Sequence, residues 1–329
     1  MNGTPDKKRI LSGMRSTGPK LHIGNYEGAL RNWVALQDQY NMYCMVADWH
    51  ALTTQFGDTS EISRNSREVA KDFIAGGIDP AKSPIFVQSH VKEHAELHLL
   101  LSMATPLGWL ERVPTFKEKQ QDIGGAERVP YGLLGYPVLQ AADILMYRPY
   151  GVPVGKDQAP HLEVSREIGR RFNHLYGNVF PEFVNIIGDI PVLPGLDMRK
   201  MSKSYDNCIY INESPDETAK KIKSAFTTPS KIKKTDPGIP EGCAVCQYLK
   251  VYSPQWETQW NEDREGLRGC MQSKNECIEA VNEFLRPMRE RRAAIDDTTI
   301  EDILRDGAER ARAVAQQTMQ DVREAMHLW

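Results

Sequence analysis

Lys200 and Lys203 stand three residues apart in Lys200-Met201-Ser202-Lys203-Ser204, between a Pro194-Gly195 turn and an Asp206-Asn207 turn. Each lysine is a compact ammonium on a flexible stem with rotatable donors, so a loop of this kind can set two positive charges on a polyphosphate. A solvated basic turn is the plainer alternative, and a second phosphate-compatible segment would overturn it. The stretch Arg15-Ser16-Thr17-Gly18 followed by Pro19-Lys20-Leu21-His22-Ile23-Gly24-Asn25 has that character. Gly24 lets a base or ribose approach the backbone, because it has no Cβ. His22 can donate a hydrogen bond to a phosphate or to developing negative charge.

Chemistry of this kind needs a rigid scaffold behind it. Residues 9–14 form a short apolar run, and residues 26–40 carry apolar side chains at helical spacing. This reads as strand, Gly-rich turn and helix, with the helix N-terminus open to an anion. Residues 43–48 form a second apolar run ending at Asp48, with His50 just beyond. Residues 85–88, 152–155 and 185–193 are further strand-like runs, separated by helical stretches and Gly/Pro turns. Such alternation predicts an α/β region with a parallel sheet over the first 190 or so residues. Ligands gather at the carboxyl ends of strands of this type.

If residues 136–147 are helical, Tyr136, Gln140 and Asp143 share one face. An acidic acceptor beside an amide and a phenol suits a small polar-aromatic ligand, although an amphipathic helix wetted on one side has the same pattern. Val152-Pro153-Val154 leads into Gly155-Lys156-Asp157-Gln158, where Asp157 is placed to accept ribose hydroxyls. Residues 120–132 are polar and contain glycine, as a lid would. Beyond the lysine loop the character changes, and the domain boundary is expected near residue 210. Ser214-Pro215-Asp216-Glu217 reads as a capped helix start. Lys220, Lys221, Lys223, Lys231, Lys233 and Lys234 follow as a basic run, and residues 275–329 are mostly helical in pattern.

With 329 residues, 40% of them hydrophobic and 26% charged, the chain has room for one large or two ordinary domains. Its net charge of −3 gives no overall basic field, so any nucleic-acid contact must be a local patch. No apolar run reaches the ~20 residues that span a bilayer, and neither a membrane nor DNA is an expected partner. The opening residues carry no secretory pattern, so the six cysteines point to a reducing cytoplasm. Four of them, Cys243, Cys246, Cys270 and Cys277, cluster in the helical part. Four soft ligands suit zinc or an iron–sulfur cluster, while free buried thiols are the alternative.

Together, the segments at Pro19–Asn25 and Lys200–Ser204 resemble the HIGH and KMSKS motifs of class I aminoacyl-tRNA synthetases. Gly76-Gly-Ile-Asp-Pro80, Ile85-Phe-Val-Gln-Ser-His90, the Tyr136–Leu145 stretch, Val152–Gln158 and Asp306-Gly-Ala-Glu-Arg-Ala311 narrow the resemblance to bacterial tryptophanyl-tRNA synthetases. The likeness runs over essentially the whole chain. It implies a Rossmann-like catalytic domain over residues 1–210 and a helical anticodon-binding domain over 211–329. It also implies a homodimer acting on ATP with Mg²⁺, L-tryptophan and tRNA(Trp).

Carried over position by position, Arg15, Ser16, Thr17, Gly24 and Asn25 line the ATP site, and Gly155, Lys156 and Asp157 hold adenosine and ribose beside Val192. Lys200, Met201, Ser202, Lys203 and Ser204 form the phosphate loop, with Lys200, Lys203 and His22 as the catalytic groups. Lys119 is a phosphate contact from the lid. Asp143 accepts the indole N–H, with Tyr136, Gln140, Gln158 and His50 around the amino acid. Some relatives carry a [4Fe-4S] site that three of the cysteines fit, whereas Ala280 stands where the closing ligand is expected. Asn25 replaces the final histidine of its motif, and Lys156 stands where many relatives have glutamate. Gln140 replaces a common methionine, which gives the Tyr136–Asp143 helix a likeness to tyrosyl enzymes as well. A tyrosyl-tRNA synthetase and a non-charging paralogue that binds RNA or tryptophan are the competing readings.

Overall fold

The structure is a computed structural model that describes residues 7–113, 116, 129–155, 159–188, 193–227, 231 and 233–328. Five parallel strands lie in the order β3-β2-β1-β4-β5: β1 (Arg9–Arg15), β2 (Asn41–Ala47), β3 (Ile85–Val87), β4 (Gly151–Val154) and β5 (Val184–Ile187). β1 pairs with β2 along its whole length, Arg9 opposite Asn41 and Arg15 opposite Ala47. On its other side β1 meets β4 at Ile10 and Gly151. The strand order reverses between β1 and β4, and such a switch point opens a crevice at the carboxyl ends of the strands.

Side chains alternate across each strand, and both faces of this sheet are covered. Met42, Cys44 and Val46 of β2 enter one apolar cluster. Tyr43, Met45 and Ala47 enter the other. On the first face lie α1, which runs from Ile23–Asn25 through a π-helical turn at Tyr26–Leu30 into Arg31–Leu36, and α3 (Ile62–Gly76). α2 (Asp48–Gln55) follows directly on β2. The second face is covered by α4 (Glu93–Ala104), α5 (Tyr131–Met146) and α6 (Ala159–Tyr176).

Further helices include α7 (Pro215–Lys223), α8 (Ala244–Tyr252), α9 (Cys270–Ala293) and α10 (Asp297–Ala325). α7 begins as its sequence foretells, with Ser214 and Glu217 in a reciprocal capping box and Pro215 at the first position. Residues on either side of position 210 share one core: Ile209, Ile211, Ile222, Val281 and Leu285 lie in the cluster that holds Trp33 and Phe73. Arg292 of α9 donates to Asp72 of α3 at 2.6 Å and pairs with Glu68, and Arg291 donates to the carbonyl of Ala75. These two arginines tie α9 to α3. Among the described residues no helix is long and apolar enough to cross a membrane.

α10 closes the outer edge of the sheet. Its Ile300 and Leu304 belong to one core cluster, and Ala311, Ala315, Met319 and Val322 to the other. Between them Gly307 meets the backbone of β3, where a Cβ would stand 1.9 Å from the Ile85 carbonyl oxygen. Only a residue without a side chain lets the helix lie so close to the strand. Gly307→Ala is therefore expected to destabilise the fold by about 1–3 kcal/mol through overpacking. A urea midpoint equal to that of the parent would refute this account.

Candidate active site

The turn after β1 builds the first wall. His22 caps α1: its Nδ1 accepts from the Asn25 N–H at 3.1 Å, and Asn25 Oδ1 accepts from the His22 N–H at 3.1 Å. The asparagine that departs from the named motif thus closes a reciprocal cap. Burial, and then the positive charge of Lys203, lower the His22 pKa to about 4. The ring is neutral at neutral pH, and with Nδ1 accepting, its proton sits on Nε2. That nitrogen is the one left to donate to a ligand. Leu21 is held from behind, its N–H donating to Asp72 at 2.8 Å.

This turn is stitched to the segment that follows the lysine loop. His22 and Tyr210 form an antiparallel bridge. The Ile23 N–H donates to Ile209 at 2.9 Å, and the Ile211 N–H to Leu21 at 3.0 Å. Asn207 organises the loop itself: it accepts from the Ser202 N–H at 2.9 Å and donates to Asp197 and to the Lys200 carbonyl. Met201 is buried and anchors the loop in the core. The Tyr248 hydroxyl of α8 donates to the Pro194 carbonyl at 2.8 Å, fixing the loop root.

The two lysines differ in placement. Lys203 leans over the first wall, where a Cβ on Gly18 would lie 3.0 Å from its Nζ. Burial lowers its pKa, while the carboxylate of Asp72 acts in the opposite sense. Lys200 is exposed. Gly24 lies between the two motifs, since a Cβ there would meet His22 Nδ1 at 3.0 Å and Met201 Sδ at 3.1 Å. Ser202 and Ser204 share a hydroxyl hydrogen bond of 2.8 Å. Arg15 ends β1 and is exposed. Ser16 is buried with its hydroxyl taken up by Ser66, and the Thr17 carbonyl accepts from Gln55 at 3.0 Å. The backbone of this turn is therefore braced by α2 and α3.

A second wall comes from α2, the turn after β3, α4 and α5. Asp143 on α5 is 2% exposed, which is extreme for a carboxylate. Its Oδ2 lies 2.7 Å from His50 Nε2, and its Oδ1 lies 2.6 Å from His94 Nδ1. Gln88 Nε2 donates to both oxygens, at 2.8 and 3.0 Å. Burial alone would raise the Asp143 pKa, but the hydrogen bonds and charges of His50 and His94 outweigh it and hold it at about 2. Tyr136 and Gln140 are partly exposed, two turns and one turn respectively before Asp143 on the same helix. Gly155 lies just past β4. Lys119, Lys156, Asp157, Gln158 and Val192 lie outside the described residues, as does most of the expected lid.

Gln88, His94 and Asp72 were not singled out by the sequence reading. Asp72 had a signal, an acid inside the apolar stripe Val69-Ala70-Phe73 of a helix. Gln88 stands at the carboxyl end of a strand, where ligands gather. His94 had none.

The cysteine expectation meets a different geometry. Cys243, Cys246 and Cys270 line a cavity of about 20 Å³ together with Lys231 and Asp263, an ion pair of 2.7 Å that is itself buried. Cys277 is absent from that lining and packs in the core. Hydrogen bonding to Cys246 lowers the Cys243 pKa. A space of this size holds about one water, and an ammonium already stands at its wall. Among the described residues, no group of three or more histidine, cysteine or acidic side chains can hold a metal ion. The four thiols do not fit zinc or a [4Fe-4S] cluster in this arrangement.

The family described as tRNA synthetases class I (W and Y) matches residues 5–286. The chain belongs to this family. A tryptophan–tRNA ligase of Thermotoga maritima is 47% identical, over 97% of this chain and 99% of its own length. One of Aquifex aeolicus is 41% identical, over 97% of this chain and 100% of its own. The solved tryptophanyl-tRNA synthetase of Campylobacter jejuni, complexed with ADP and tryptophan, is similar with a TM-score of 0.86. It is 37% identical, and the match covers 97% of this chain and 100% of that one. The Rossmann-like parallel sheet expected from the sequence is the fold present, and the chain is an aminoacyl-tRNA synthetase.

Proposed function

We infer that the chain is a tryptophan–tRNA ligase that works in two steps. A carboxylate oxygen of L-tryptophan attacks the α-phosphorus of ATP, supplied as its magnesium complex, and the bond to the β-phosphate breaks to release pyrophosphate. The terminal ribose hydroxyl of tRNA(Trp) then attacks the acyl carbon, and AMP leaves. Little covalent work falls to the protein, so positioning and charge stabilisation carry the rate. Lys203 and Lys200 take the charge that gathers on the leaving pyrophosphate. His22 donates from Nε2 to a phosphate oxygen. Asp143 accepts the indole N–H, with His50, Tyr136 and Gln140 beside it. The resemblance adds Lys156, Asp157, Gln158 and Val192 around the adenosine and amino acid.

The observation that carries this reading is the juxtaposition of Lys203 with the Gly18–Asn25 turn at the sheet's switch point. The helices beyond residue 211 meet the tRNA, for which the exposed Lys220, Lys223, Lys233 and Lys234 suit a phosphate backbone. A homodimer in the cytoplasm is the assembly that the family resemblance supports. The cysteines take no part in the reaction.

ATP–pyrophosphate exchange with tryptophan and tyrosine side by side tests the reading. Exchange supported by tryptophan and not by tyrosine is expected. The reverse would identify a tyrosyl enzyme, and tryptophan binding without exchange would identify a non-charging paralogue.

A further inference from the structure

His94 stands behind Asp143 at the start of α4, with none of its side chain exposed, whereas the His50 side chain on the opposite side retains 12%. His50 is therefore the histidine on the side from which a ligand arrives, and His94 belongs to the wall. His94 Nε2 lies 2.9 Å from the Tyr147 hydroxyl, and its Nδ1 faces Asp143 Oδ1. An ionised carboxylate can only accept, so Nδ1 carries a proton. Burial pushes the Tyr147 pKa well above its ordinary value, so the phenol keeps its proton beside Nε2. The chain Tyr147–His94–Asp143 is thus continuous, and its two ends hold the plane and position of the ring between them.

We propose that His94, set by Tyr147, is a specificity-determining positioning residue that holds the Asp143 carboxylate in the orientation that accepts a ring N–H from the amino acid. The inference rests on the reading of Asp143 given above. A carboxylate without these donors turns toward whatever polar group remains, and it becomes easier to protonate in a buried setting. Either change weakens the penalty for a ligand that leaves it unpaired, and that penalty is the source of discrimination. A filler role for His94 predicts otherwise. Its ring also packs against Phe86 and Tyr147, and loss of that packing alone would lower activity toward all amino acids alike.

The test compares tryptophan with benzothienylalanine, in which sulfur replaces the ring N–H, by the kcat/KM ratio in pyrophosphate exchange. His94→Leu is expected to lower the ratio about tenfold, by raising KM for tryptophan while KM for ATP stays at the parental value. His94→Asn, whose amide N–H can stand near the place of Nδ1–H, is expected to restore most of it, and Tyr147→Phe to fall between. A folded His94→Leu with the parental ratio overturns the proposal, as does an equal loss with both amino acids. Should His94→Leu fail to fold, an unchanged ratio in Tyr147→Phe overturns it instead. Asp143→Asn measured alongside separates the two layers. If it alone collapses the ratio, only the role of His94 falls, and if it too leaves the ratio unchanged, the reading of Asp143 falls with it.

Discussion

Lys203→Ala is expected to lower the kcat of tryptophan-dependent pyrophosphate exchange by about two to three orders of magnitude, and to leave KM for tryptophan within about threefold. The Lys203 ammonium already leans over the Gly18 turn, partly desolvated, with its pKa lowered by burial. A phosphate beside this ammonium is an ion partner for it, and the interaction strengthens as charge passes to the leaving pyrophosphate. Lys200 is exposed, so water weakens its charge interactions more, and Lys200→Ala is expected to cost less than Lys203→Ala. Rates measured at saturating ATP and tryptophan decide this. A Lys203→Ala enzyme with parental kcat would remove the lysine from the mechanism.

The second large effect is expected at Asp143. Asp143→Ala should reduce kcat/KM for tryptophan by about three orders of magnitude or more, because a site built to accept a hydrogen bond loses most of its discrimination with the acceptor. It should also destabilise the fold, since His94 and Gln88 would be left as buried donors without a partner. The pH dependence has a definite sign. The folded-state pKa of about 2 is below the ordinary 3.8. The contribution of Asp143 to stability is therefore fully present above about pH 4 and is lost as pH falls through about 2. No acid limb from Asp143 should appear in kcat/KM for tryptophan above pH 4. An Asp143→Ala enzyme that activates tryptophan like its parent would refute the assignment.

Where the candidate site lies in short contiguous motifs, the sequence pointed to it. Lys200–Ser204 and Pro19–Asn25 together have residue types that suit a phosphate, and β1 and β2 are readable because a strand buried on both faces is largely apolar. What stayed hidden is what distant segments do for one another. Asp72 bracing Leu21, His94 and Gln88 gripping Asp143, and Tyr248 pinning Pro194 each join residues far apart in the chain, and no local pattern encodes them. The cysteines failed in the opposite way. Their spacing invited a metal, but Cys277 is drawn into the core by helix packing while Lys231 and Asp263 line the space beside the other three. Spacing along a chain says which ligands are near in sequence, not which way each helix turns them.

The close seat of Gly307 on β3 also bears on how the molecule comes into being. The unpaired rim of a sheet is a template for another strand, and here the part that masks it is contributed by α10, from far downstream of β3. Until α10 docks, Ile85 and its neighbours present an open backbone to any other copy, and contacts of such wide sequence separation form late. A chain that loses α10 is thus expected to behave less as a smaller catalyst than as an adhesive one, since the same close packing that completes the native sheet also keeps one molecule from joining the next.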